Sequence, residues 1–282
     1  ATMAHVELSS GTIEYTDTGG TGPAIVLLHG VPMTPQTQWA PVLPRLAGHR
    51  VVMPILPMGG HRLPMRPGTD LTQFGMAGLV GELLVALDLD GVVLVLNDWG
   101  GGQFLLTEQL PGHERVAGLA LVACEAFDNF PPAPAKPLEV LARAPGGMWL
   151  FLQAMRLGAL RHARFGYGGM SLRGVPDEVL RGWFEPAQQD SEIRRDFAAF
   201  AAGAPDRSTL LDAATRLANF TGPALIAGAK QDSMMPLDHG RRLGELLPQA
   251  RRVEVDDSST LMAFDQPEIL ADMLLGLVDE VA

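Results

Sequence analysis

The sequence predicts an α/β chain with a mostly parallel sheet flanked by helices and a helical insertion after the sixth strand. Three observations carry that prediction. Short runs rich in Val, Leu and Ile, bounded by turn residues, alternate with stretches of helical spacing, as in a parallel sheet covered on both faces. The run Val92–Leu96 breaks into Asn97-Asp98-Trp99 and three glycines, a tight turn out of a buried strand. Between about Phe127 and Phe220 no buried-strand run occurs.

Val6–Ser9 and Thr12–Asp17 read as an opening strand pair around Gly11. Ala24–Leu28 is a buried strand ending at His29-Gly30, and Arg50–Pro54 a shorter one before a Gly- and Pro-rich loop to Gly68. Leu71–Asp88 carries apolar residues near helical spacing. After Val92–Leu96 a helix is expected to begin at Trp99, stopping at Pro111-Gly112. Val116–Ala123, Ala224–Ala227 and Arg252–Val255 complete the strands, and Pro267–Val281 closes the chain as a helix. In the insertion, Pro131, Pro132, Pro134 and Pro137 mark a linker out of the sheet. Helical patterns follow at Met148–Ala163, Pro176–Gln188, Ser191–Ala202 and Arg207–Ala218. Residues 1–126 and 221–282 are therefore expected to form the core, and residues 127–220 a helical cap over the carboxyl ends of the strands.

The 282 residues suit one large α/β domain with an insertion. A formal net charge of −11 argues against nucleic acid and anionic membrane surfaces as partners. No basic-then-apolar leader is visible, and no apolar run reaches the roughly 18 residues a membrane helix needs. The single Cys124 excludes an internal disulfide and is consistent with a reducing cytoplasm. The chain reads as a soluble intracellular protein, a monomer or homodimer, that takes a small apolar molecule.

Asp98, at the tip of a strand–turn–helix, stands where a nucleophile is presented in one widespread strand–turn–helix device. A carboxylate there can attack carbon and form an alkyl ester. The alternative reading of Asp98 is a cap on the following helix. With His29-Gly30-Val31-Pro32 after one strand, Asn97-Asp98-Trp99-Gly100-Gly101 after another and Asp232 after a third, the chain resembles the aspartate-nucleophile branch of the α/β-hydrolase fold. That branch holds haloalkane dehalogenases, fluoroacetate dehalogenases and epoxide hydrolases. The resemblance covers nearly the whole chain in order of elements; the cap matches only in position and helical character.

The resemblance implies roles for several residues. The N–H groups of Val31 and Trp99 would form an oxyanion hole, and the Trp99 indole N–H would hold a departing halide. His29 and Gly30 would shape the turn beside them, and Asp232 would be the acid of a triad. The triad breaks at its third member. Counting back from Gln266-Pro267-Glu268 sets Ser259-Thr260 on the family's Gly-His pair, so Thr260 stands at the histidine position. A threonine hydroxyl is no base near neutral pH. Among seven histidines, His61 is the best substitute, in a loop expected to open on the active-site end beside Arg62, which could hold an anion. His239 reads instead as part of a solvated helix face. Glu125 is a candidate pocket carboxylate. Tyr167 is the one tyrosine in the cap, where epoxide opening ordinarily uses a pair. No cofactor is expected, and no His/Asp cluster has the spacing of a metal site.

Three readings follow. The first is a dehalogenase-like enzyme working through Asp98, with slow release of its ester. The second is cofactor-free elimination, isomerisation or cyclisation, with Asp98 as acid or base. The third is a pocket-binding protein without turnover.

Overall fold

The computed structural model describes residues 1–282. Eight strands, β1 (Met3–Leu8), β2 (Gly11–Asp17), β3 (Thr21–Leu27), β4 (His49–Pro54), β5 (Val92–Asp98), β6 (Val116–Cys124), β7 (Ala224–Ala229) and β8 (Ala250–Val255), form one sheet. Their order is β1-β2-β4-β3-β5-β6-β7-β8. Only β1–β2 and β2–β4 pair antiparallel; from β4 through β3 to β8 all pairs are parallel.

The unbroken apolar runs follow from burial on both faces. In β5, Val92, Leu94 and Leu96 enter one core while Val93 and Val95 enter the other. In β3, Val26 opposes Ile25 and Leu27 in the same way, and Leu28 just after the strand joins Val26. The short helix α1 (Pro35–Gln38) precedes Trp39, whose ring fills the second core beneath the closing helix. α2 (Gln73–Ala86) and the single turn α3 (Phe104–Thr107) cover the first face. The α-helix expected from Trp99 is shorter than the sequence suggested. Three glycines favour a 3₁₀ turn, Gly101–Gln103, before α3.

Between β6 and β7 lie α4 (Lys136–Arg143), α5 (Gly147–Ala154), α6 (Gly158–Arg161), α7 (Asp177–Gln189), α8 (Ser191–Ala201) and α9 (Arg207–Thr215). The proline-rich stretch becomes helix from Lys136, because Pro137 falls in a first turn, where a missing N–H is harmless. The expected helix 148–163 is two helices. Arg161 Nη1 donates to the carbonyls of Met155 and Arg156, both at 2.9 Å, and so caps α5 just before the chain restarts at Gly158.

Leu210, Ala213 and Ala214 of α9, with Leu217 after it, pack in the first core beside α3. The chain closes with α10 (Leu237–Leu246), α11 (Met262–Asp265) and α12 (Pro267–Val281). On α10, His239 is half-buried with its ring edge-on to Phe127, not on an open solvated face. No helix is long and apolar enough to cross a membrane.

Candidate active site

Asp98 ends β5 with φ +65°, a left-handed conformation that costs a non-glycine residue about 1–3 kcal/mol. That turn lifts its carboxyl into a cavity of about 290 Å³ between the strand ends and the helices of the insertion. Oδ2 accepts the Val31 N–H at 3.1 Å, while Oδ1 receives no hydrogen bond from the protein. Gly30 is glycine by necessity, since a Cβ there would overlap the Asp98 carboxyl. Burial, outweighing the Val31 N–H and aided by the charge of Asp232, pushes the Asp98 pKa up to about 7.

Two buried amides that the sequence reading overlooked hold the turn. Gln38 Oε1 accepts the Gly30 N–H at 2.8 Å, and its Nε2 donates to Asn97 Oδ1 at 2.8 Å. Asn97 Nδ2 in turn donates to the carbonyls of Thr260, at 2.7 Å, and Val122, at 2.8 Å. Three segments distant in sequence are thereby fixed around Asp98.

Of the positions that the resemblance sets as a triad, Asp232 and Thr260 are in direct contact. Thr260, fully buried, donates its hydroxyl to Asp232 Oδ1 at 2.8 Å. The same oxygen accepts the N–H groups of Met234, at 2.8 Å, and Met235, at 3.1 Å. Asp232 Oδ2 is buried with no partner. Burial raises the Asp232 pKa despite those three donors. No imidazole stands between the two carboxylates.

Several expected roles are relocated. His61 does not reach the cavity: its Nδ1 accepts the Gly59 N–H at 3.3 Å, so its Nε2–H is directed at Asp196 Oδ2 at 3.1 Å. Both ring nitrogens are thus engaged in tying the loop to α8, where Asp196 also accepts the Met65 N–H. Arg62 is exposed and lies outside the cavity. His29 donates from Nδ1 to the Gly30 carbonyl and accepts the Leu56 N–H at Nε2, each at 2.8 Å. Burial brings its pKa down to about 4, so it is a neutral strut of the turn. The Trp99 indole is fully buried and donates to Gln73 Oε1 at 2.7 Å, so it offers no free N–H to a halide.

Gln73, which the sequence reading did not single out, lines the cavity in its place. Because indole is a donor only, Oε1 must face Trp99, and the Gln73 amide NH₂ is left without a protein partner. A polar residue on the buried stripe Gln73–Met76–Ala77–Val80 of α2 was the available signal. The Trp99–Gln73 bond depends on Gly101, where a Cβ would overlap Gln73 Oε1 and Trp99 Nε1. Gly101→Ala is expected to cost about 1–3 kcal/mol in urea unfolding; unchanged stability would mean that the bond is not formed.

Tyr167 lines the cavity, but its hydroxyl donates to the Val31 carbonyl at 2.9 Å. Burial, then the Asp98 charge, raise its pKa. Glu125 is buried at the cavity floor with Oε1 accepting the Gly100 N–H at 3.2 Å. Burial first, and the neighbouring Asp98 second, hold its pKa well above the ordinary carboxylate range. The remaining wall is largely apolar, with Leu138, Leu141, Phe151, Met155 and Phe165 from the insertion.

This geometry agrees with what the chain is similar to. The profile of the alpha/beta hydrolase fold matches residues 23–267. A haloalkane dehalogenase of Mesorhizobium japonicum is 30% identical over 150 residues, which cover 51% of this chain and 47% of that protein, about half of its length. A 2-hydroxy-6-oxo-6-phenylhexa-2,4-dienoate hydrolase of Comamonas testosteroni is 25% identical over 252 residues, 86% of this chain and 82% of that protein. Among solved structures, the haloalkane dehalogenase DbeA of Bradyrhizobium elkani superposes with a TM-score of 0.78 over 99% of this chain and 98% of its own. At 19% identity that likeness is one of fold. With 245 consecutive positions inside the matched profile and a turn of the required shape at Asp98, the chain belongs to the alpha/beta hydrolase fold family.

Proposed function

We propose that this protein acts on a small apolar molecule through Asp98, which attacks an electrophilic carbon in the manner of a haloalkane dehalogenase. The observation that carries the reading is the Asp98 carboxyl itself. One oxygen is held by the Val31 N–H, and the other is free of protein partners at a largely apolar cavity. Attack through Oδ1 would leave Oδ2 as the carbonyl oxygen of the ester, already in contact with a backbone donor. The Gln73 amide NH₂ would receive the leaving group, in the part the sequence reading gave to Trp99. Helices α4 to α8 act as the cap that keeps water from the cavity. The lone thiol, Cys124, is buried and takes no part, which fits a reducing cytoplasm.

Hydrolysis of the ester is the weak step, because Thr260 supplies no base for water. Incubation with 1-bromohexane, followed by intact-protein mass spectrometry and halide assay, is expected to give one hexyl group on Asp98 and a single burst of bromide. The alkylation rate should rise as pH passes through about 7, because only the ionised carboxylate attacks. Absence of both adduct and bromide release between pH 6 and 9 would reject the reading.

A second reading, proton transfer by Asp98 without covalent attack, draws on the same value. A carboxyl poised near neutrality suits a general acid or base, and the absence of an imidazole would spare the substrate from hydrolysis.

A further inference from the structure

The cavity holds four groups that could exchange a proton with a bound molecule: Asp98, Glu125, Glu139 and Tyr167. Glu139 is tied to Arg143 at 2.6 Å, one helical turn away at the rim. Tyr167 directs its hydroxyl proton at the Val31 carbonyl. Glu125 alone remains beside Asp98, and it is rigidly placed. Its backbone N–H donates to the Asp98 carbonyl at 3.0 Å, so the two residues lie side by side at the tips of β5 and β6. Its side chain accepts only the Gly100 N–H and makes no ion pair with any Lys, Arg or His. Burial first, and the charge of Asp98 second, raise the Glu125 pKa well above the ordinary carboxylate range and so favour its protonated, proton-donating form.

We propose that Glu125 is the proton donor of this site, delivering a proton to a substrate oxygen while Asp98 attacks the carbon next to it. This rests on the reading of Asp98 as a nucleophile and extends its substrates to strained cyclic ethers. With an epoxide, an Asp98 oxygen forms a bond to a ring carbon and the carbon–oxygen bond breaks. The electron pair goes to the ring oxygen, which takes the Glu125 proton. The products are a hydroxyalkyl ester on Asp98 and a Glu125 carboxylate, which recovers its proton from solvent. A departing bromide needs no proton, so the same residue matters far less to alkyl bromides. A single carboxylic acid then does the work for which a tyrosine pair is absent.

The test compares 1,2-epoxyhexane with 1-bromohexane as alkylating probes, followed by intact-protein mass spectrometry, on the unsubstituted protein and Glu125→Gln. Glutamine keeps an acceptor for the Gly100 N–H, and bromohexane labelling of the variant reports an intact cavity. The ratio of epoxide to bromide labelling rates is expected to fall about 100-fold or more in the variant, the ordinary size of general acid catalysis. A ratio within about threefold of the unsubstituted protein's, with labelling by both probes, would overturn the proposal while leaving the Asp98 reading intact. Absence of both labelling of the unsubstituted protein by either probe and bromide release from 1-bromohexane would overturn that reading and the Glu125 proposal with it.

Discussion

Asp98→Asn is expected to stabilise the protein at pH 8 by about 4 kcal/mol and to abolish its alkylation by bromohexane. Burial lifts the Asp98 pKa from 3.8 to about 7, so ionising it in the folded chain is penalised relative to the unfolded chain. The sign follows from the direction. A carboxyl with a raised pKa favours the folded state below about pH 4, where it is protonated in both states. That contribution is lost as pH climbs through about 7. A displacement of that size is worth about 4 kcal/mol. Asparagine keeps an acceptor for the Val31 N–H and carries no charge, so it removes the loss. Urea unfolding of both proteins at pH 4 and pH 8 checks this. Equal stability at pH 4 with a wide gap at pH 8 is the expected pattern, and a gap of the same size at both would mean that charge is not the cause. The left-handed backbone at 98 tolerates asparagine as well as aspartate, so the exchange adds no strain there.

Thr260→His should turn a single burst of bromide into continuing release, with ester breakdown faster by about 100-fold or more. Asp232 Oδ2 is a buried acceptor that lacks a donor, and an imidazole Nδ1–H at position 260 would supply one. The other ring nitrogen would then face the Asp98 ester as a base for water. The larger side chain enters a fully buried position and costs about 1–3 kcal/mol. A variant that folds, becomes alkylated and still stops after one turnover would show that more than the imidazole is missing.

The sheet and the position of Asp98 were legible because burial on both strand faces leaves a continuous Val/Leu run, and because three glycines punctuate its end. Asp232 was legible from its place after a strand, and Thr260 by counting back from Gln266-Pro267-Glu268. The side-chain partners were not. The Trp99 indole turns towards Gln73, 26 positions earlier, and His61 towards Asp196, 135 positions later. Such pairings depend on how the insertion settles over the strand ends, which local periodicity does not encode. Arg62 pointing to solvent follows from the same loop: once His61 is anchored inward, its neighbour projects outward. The split of helix 148–163 was hidden for a related reason: one glycine, Gly158, interrupts the apolar run, and the break is made where the guanidinium of Arg161 reaches back over the carbonyls of Met155 and Arg156.

The amide chain Gln38–Asn97–Thr260 grips residue 260 by its main-chain carbonyl, not by its side chain. The scaffold therefore fixes the backbone at 260 independently of the side chain, while burial limits the size of that side chain and Asp232 calls for a hydrogen-bond donor there. Position 260 is in that sense a socket. Exchanging the residue there for another donor of tolerable size would change what meets Asp232 without disturbing the chain of amides that anchors the turn at Asp98.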